Sequence, residues 1–201
     1  MINLVDEAGA LSTEEFHELK NFVVDECLCT QVETPWLEYV KIRADGDTGY
    51  KGYWTAQWDE VGLDKRNVKA VIILNATYLK TLEDMKKTLA HEFGHHWTLG
   101  YMIENFEQDI WKERMPLDYY RMRGLDLDNF APDYSKDWYH CDKEVLAEDY
   151  KYFYSPFDGE HRMKNLVGNP SEEIKAKIVD LGLGARRSWE ELVRCRFSKS
   201  K

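Results

Sequence analysis

Three side chains near the middle of the chain have the types and spacing of a metal-dependent hydrolytic site. Residues 91–95 read His-Glu-Phe-Gly-His, which is the pattern HExxH. Side chains four residues apart lie on one face of a helix, so His91 and His95 can both reach one zinc ion, at about 2.0–2.1 Å from each ring nitrogen. Glu92 can then accept a proton from a water at the open position of the zinc. The pattern predicts a zinc site with its own general base.

The alternative is that both histidines are partnered residues of a hydrophobic core, or that the motif arose by chance. Three fixed positions of moderately rare residues coincide in on the order of one chain in a hundred. The functional interpretation is favoured because apolar residues recur at helical spacing on both sides of the motif. His96 lies about 100° from His95 around the helix, so we predict that it is structural or solvent-facing.

The third zinc ligand must come from elsewhere, because a catalytic zinc takes three protein ligands and keeps one position for water. A three-histidine motif would need Gly and His where the chain has Thr98 and Tyr101. Glu144 and Glu148 are four residues apart in the segment Glu-Val-Leu-Ala-Glu, so both lie on one face of a predicted helix. We predict that Glu144 binds zinc and that Glu148 accepts a hydrogen bond from a ligand histidine. The reversed assignment and a solvated acidic stripe remain open alternatives.

An HExxH helix followed by a helix of the form Glu-x-x-Ala-Glu resembles the zincin metallopeptidases that have a glutamate as third ligand, the gluzincins. The segment 69–155 is most similar to the catalytic domain of anthrax lethal factor and to the related Pro-Pro endopeptidases. The resemblance implies a zincin-like fold, with a small mixed sheet over the motif helix. It also implies one zinc ion as cofactor and a peptide substrate that binds as an added strand at a sheet edge.

The resemblance further implies a tyrosine shortly before the glutamate ligand, whose hydroxyl stabilises the oxyanion. In this chain the corresponding position is Asp137. Tyr139, Tyr134 and His140 lie nearby, and Tyr139 is the predicted catalytic residue among them. Aromatic packing is the alternative role for all three.

A helix and a sheet are predicted in residues 1–80. Ser12 and Glu15 form a predicted capping box at the start of a helix over residues 12–29. Alternating or continuous apolar residues then predict three strands, at 36–43, 50–58 and 69–74.

The motif helix is predicted to begin after Thr81, as N-cap, and to end at Gly100. Four further helices are predicted, around 103–114, from Asp142 to Tyr154, from Pro170 to Gly182, and over 188–196. These elements predict an α+β fold in a single domain over residues 1–201. Residues 1–80 would supply a helix and the sheet, and residues 81–201 the motif helix and a mainly helical C-terminal part.

The composition limits the partners. The formal net charge of −10 disfavours nucleic acids and anionic membranes, because like charges repel. The four cysteines have no zinc-finger spacing. Neither a signal peptide nor an apolar run of about 20 residues is visible. We therefore expect a cytoplasmic monomer if the chain is complete, and a secreted protein if a signal peptide has been trimmed.

Two functions fit these observations. The first is a zinc-dependent hydrolase, most simply an endopeptidase that acts on a protein or peptide substrate, with Glu92 as general base. The alternative is a catalytically inactive zinc-binding interaction protein with a zincin-like fold. The presence of Glu92 favours the enzyme, because a purely structural zinc site needs no base.

Overall fold

A four-stranded mixed sheet forms the N-terminal half of the fold. The computed structural model describes residues 2–27, 37–61, 64–105, 111–157 and 160–181. The strands are β1 (Leu4–Asp6), β2 (Leu37–Arg43), β3 (Gly52–Val61) and β4 (Asp64–Asn75). Their order in the sheet is β1-β2-β4-β3. The pairs β1–β2 and β2–β4 are parallel and the pair β3–β4 is antiparallel.

The strands follow the apolar pattern of the sequence. β4 is an inner strand, in which Ala70, Ile72 and Leu74 on one face are inaccessible to solvent and Ile73 on the other is 3% exposed. The strands predicted at 36–43, 50–58 and 69–74 are confirmed as β2, β3 and β4, with shifted ends. β1 was not predicted, because three residues are too few to show a periodicity.

Helix α1 (Thr13–Asp25) follows the predicted pattern at its start. Ser12 Oγ accepts from the main-chain N–H of Glu15, and Glu15 accepts from that of Ser12, which confirms the capping box. The helix ends at Asp25 and therefore stops short of the predicted residue 29, which lies outside the described residues. Its buried face packs into the core through Leu19, Phe22 and Val23.

Helix α2 (Leu82–Asn105) carries the HExxH motif and is longer than predicted. Thr81 Oγ1 accepts from the N–H of Asp84, which confirms Thr81 at the helix start. The predicted end at Gly100 is wrong, because the helix continues through this residue. Glycine costs a helix interior about 1 kcal/mol, and the buried Leu99 and Met102 on either side offset this cost. Of the separate helix predicted around 103–114, residues 103–105 belong to α2 and 111–113 form a turn, while 106–110 lie outside the described residues.

The C-terminal half is mainly helical. Its elements are α3 (Leu117–Arg123), a 3-10 helix (Trp138–His140), α4 (Asp142–Tyr154), α5 (Lys164–Val167) and the helical residues 172–181. The prediction of α4 is confirmed, although Cys141 is its N-cap. Asp142 instead accepts hydrogen bonds from the N–H of Met115 and the hydroxyl of Tyr120, each at 2.8 Å. The helix predicted at 188–196 lies outside the described residues.

Helix α2 is the middle layer of the fold, because it contacts β3 and β4 on one side and α4 on another. The contact with α4 is very close at Gly94. A Cβ atom at Gly94 would lie 2.9 Å from the carbonyl oxygen of Ala147 and 3.0 Å from its Cα. Glycine therefore allows the backbones of the two helices to approach. Sheet and helices share one hydrophobic cluster, so the arrangement is mixed α+β. In the described part of the chain no helix is long and apolar enough to cross a membrane.

Candidate metal centre

His91, His95 and Glu144 meet between α2 and α4. The Nε2 atoms of His91 and His95 lie 2.9 Å and 3.3 Å from the same oxygen, Oε2 of Glu144. One donor atom from each residue lies within 4.8 Å of the others, which is close enough to hold a metal ion. All three residues are buried, with between 2% and 7% of each exposed. The predicted ligand residues are thus brought together by one turn of α2 and the first turn of α4.

The donor set fits a cation. Two imidazole nitrogens and one carboxylate oxygen are ligands typical of zinc sites. Burial would raise the pKa of Glu144, but His95 and His91 hold it well below its usual range. Burial would lower the pKa of His91, but Glu144 and Glu148 raise it to about 10. Both shifts have one cause, because the buried carboxylates and the imidazole rings stabilise each other's charged forms.

Glu148 lies on the far side of His91. Its Oε1 is 2.8 Å from Nδ1 of His91, and its Oε2 accepts from Lys151 Nζ at 2.8 Å and from the N–H of Arg162 at 2.9 Å. These contacts fix the ring of His91 with Nε2 directed at Glu144. The geometry distinguishes the two glutamates, because only Glu144 reaches the facing nitrogens of both histidines. Glu148 has the position predicted for a residue that orients a ligand histidine.

The carboxylate of Glu92 is buried beside the three-residue cluster and close to strand β3. Burial raises its pKa, and the neighbouring His91 and His95 partly oppose this shift. A Cβ atom at Gly52 would lie 3.3 Å from Oε1 of Glu92 and 2.6 Å from Cγ2 of Thr88. Gly52 therefore lets β3 pass closely over the motif helix. Sequence analysis missed this residue, although a glycine at the start of a predicted strand can signal such an approach.

Tyr134, and not Tyr139, contacts the cluster. The hydroxyl of Tyr134 donates to Oε1 of Glu144, and burial together with that carboxylate raises its pKa. Both tyrosines are exposed over more than half of their surface, Tyr134 to 64% and Tyr139 to 53%, and the ring of Tyr139 packs edge-on against Trp138. His140 Nδ1 lies 2.8 Å from a carboxylate oxygen of Asp137. Of the three candidate residues, Tyr134 is therefore the one whose hydroxyl reaches Glu144, whereas the predicted Tyr139 lies against Trp138.

His96 is buried and its Nδ1 accepts a hydrogen bond of 3.1 Å from Nε1 of Trp54. It joins α2 to β3 and does not belong to the cluster, which agrees with the structural role predicted for it.

The cluster opens into a cleft of about 970 Å³ that follows α2 from Asp84 to Leu99. Residues 49–54, at the start of β3, form one wall. Its lining includes the apolar Leu79 and Leu99, and also Trp54 and Trp111, whose rings lie 5.7 Å apart. Around Asp84 it is lined by charged side chains.

Comparison of the chain with protein-family models, curated proteins and solved structures finds no match. The arguments for function therefore rest on the residues of this site.

Proposed function

We propose that the chain is a zinc-dependent endopeptidase with a zincin-like fold. The observation that carries this proposal is the convergence of His91, His95 and Glu144 next to the buried carboxylate of Glu92, at the base of an open cleft. Zinc held by the three residues would lower the pKa of a water molecule to about 7 and polarise the carbonyl group of the substrate.

The other groups have distinct tasks. Glu92 accepts the proton of the attacking water and delivers it to the leaving amine, and its raised pKa makes it a stronger base than an ordinary carboxylate. Tyr134 exchanges its hydrogen bond with Glu144 for one with the developing oxyanion. Glu148 keeps His91 oriented.

The dimensions of the cleft favour a peptide over a small molecule. The stretch of α2 between Asp84 and Leu99 is roughly 22 Å long at 1.5 Å per residue. That length accommodates about six or seven residues of an extended chain at about 3.3 Å each. Among the described strands, β3 pairs only with β4, so its other edge is available to a substrate that binds as an added strand.

The test combines metal analysis with peptide cleavage. Purified protein should hold about one equivalent of zinc and cleave members of a peptide library, and a chelator should abolish cleavage. Glu92→Gln should retain zinc and lose at least about a hundredfold in kcat, because the general base is lost. Glu14→Gln, on the exposed surface of α1, should behave like the wild type.

Two results would contradict the proposal. Protein that takes up less than about a tenth of an equivalent of zinc has no such metal site. Protein that holds zinc and cleaves no peptide, with Glu92→Gln indistinguishable from wild type, is the alternative zinc-binding interaction protein.

A further inference from the structure

The segment 160–164 forms a rigid wall of the cleft. His161 Nε2 lies 2.8 Å from Oδ1 of the buried Asp149. The N–H of Arg162 donates to Glu148 at 2.9 Å, and the N–H of Met163 donates to His161 Nδ1 at 3.2 Å. Three hydrogen bonds to buried groups therefore fix the backbone on both sides of Arg162.

The guanidinium group of Arg162 is held near the metal centre but has no strong partner. Its Cζ lies 4.9 Å from the centre of the Trp138 ring, and that ring lies 5.8 Å from the ring of His91. Its closest ion-pair contact is at 4.0 Å, to Oε1 of Glu148, and its side chain is 44% exposed. Both oxygens of Glu148 already have partners, His91 and Lys151. Among the described residues the five N–H donors of this guanidinium make no hydrogen bond, so they remain available to a ligand.

The surroundings of Arg162 favour a negatively charged ligand. Lys51 and Lys164 line the same cleft. Of the carboxylates in this part of the lining, Glu160 pairs with Lys87 at 3.1 Å, while Asp84 keeps its charge and accepts a hydrogen bond from Thr81. Arg162, Lys51 and Lys164 thus present three cationic side chains to the cleft, although the chain carries a net charge of −10.

We propose that Arg162 determines substrate specificity by binding a carboxylate of the peptide, an aspartate or glutamate side chain at a fixed position near the scissile bond. This inference rests on the proposed endopeptidase function. A guanidinium forms two parallel hydrogen bonds with a carboxylate, and stacking on Trp138 keeps its planar group in place.

The test compares matched peptides that differ only by Glu against Gln, or Asp against Asn, at each position of a cleaved sequence. For zinc-loaded wild type we expect that, at one position of the peptide, the acidic variant has a kcat/KM at least about tenfold higher than its amide counterpart. A charge-assisted hydrogen bond from Arg162 would supply a difference of this size. Arg162→Gln should lose this ratio, and Arg162→Lys should keep part of it. Arg162→Glu should prefer a lysine at that position. Arg121→Gln, on the exposed surface of α3, is the matched control, and zinc content and thermal midpoint are measured for every variant.

The outcomes separate this inference from the proposed function. Cleavage without an acidic preference, or a preference that survives in Arg162→Gln, overturns the role of Arg162 and leaves the endopeptidase proposal intact. A wild type that holds zinc and cleaves no peptide overturns both.

Discussion

The close contact at Gly94 predicts that one methyl group can weaken the metal centre. In Gly94→Ala the new Cβ would lie 2.9 Å from the oxygen and 3.0 Å from the Cα of Ala147, and 3.1 Å from Cβ of Tyr150. Two of these three atoms belong to the backbone of α4, so no side-chain rotation relieves the overlap. Ordinary contact begins near 3.4 Å, and α4 must therefore move away from α2 by about half an ångström.

The expected effects on stability and on metal binding differ. Replacing a helical glycine by alanine stabilises by about 1 kcal/mol, whereas overpacking costs about 1–3 kcal/mol. The free energy of unfolding should therefore fall by no more than about 2 kcal/mol. Glu144 moves with α4 while His91 and His95 stay on α2, and metal–ligand distances tolerate only about 0.2 Å. We expect zinc affinity to fall by about tenfold or more, as when a group that supports a ligand is removed.

The assay is chelator competition for zinc, together with urea unfolding of the metal-free protein. Ile42→Val is the control, because Ile42 is buried in β2, away from the cluster. It should cost about 0.5–1.5 kcal/mol and leave zinc affinity unchanged. The reasoning is refuted if Gly94→Ala binds zinc as tightly as the wild type.

Three further predictions concern neighbouring contacts. Glu148→Gln should weaken zinc binding by about 10- to 100-fold in chelator competition, because His91 loses a charged partner. Gly52→Ala should lower kcat about tenfold at unchanged zinc content, because its Cβ overlaps Thr88 beside Glu92. Lys177 holds the pKa of Asp118 in the folded protein below its usual value. The pair therefore stabilises the fold fully at a pH above the pKa of an unfolded aspartate, about 3.9. This stabilisation is lost as the pH falls through the lower pKa of the folded state. The difference in urea midpoint between wild type and Asp118→Asn should therefore be present at pH 7 and vanish in strong acid; a constant difference contradicts this.

The predictions from sequence succeeded where the signal is local. The spacing of His91 and His95, the cap at Thr81 and the four-residue spacing of Glu144 and Glu148 depend only on helix geometry. Once α2 and α4 pack together, these two helices bring the histidines and glutamates to one site. The α+β class followed from the same periodicities.

The failures lie where distant contacts decide the structure. The position of Tyr134 depends on an irregular segment that is held by a bridge between Ala131 and Cys141 and by the hydrogen bond from Lys143 Nζ to the oxygen of Pro132. No periodicity reveals such contacts, so the sequence alone does not single out Tyr134 among the three candidates. The groups that hold Arg162 are likewise remote in sequence.

Helix α4 explains why these remote contacts matter. Its buried charged residues are Asp142, Lys143, Glu144, Glu148, Asp149 and Lys151. A buried charge needs a partner, and removing one member of a buried pair costs about 3–5 kcal/mol. The partners lie in different segments, since Asp149 binds Arg123, Tyr119 and His161, while Glu148 binds His91 and the backbone of Arg162. Helix α4 is therefore the element that joins α2, α3 and the cleft wall around the candidate metal centre.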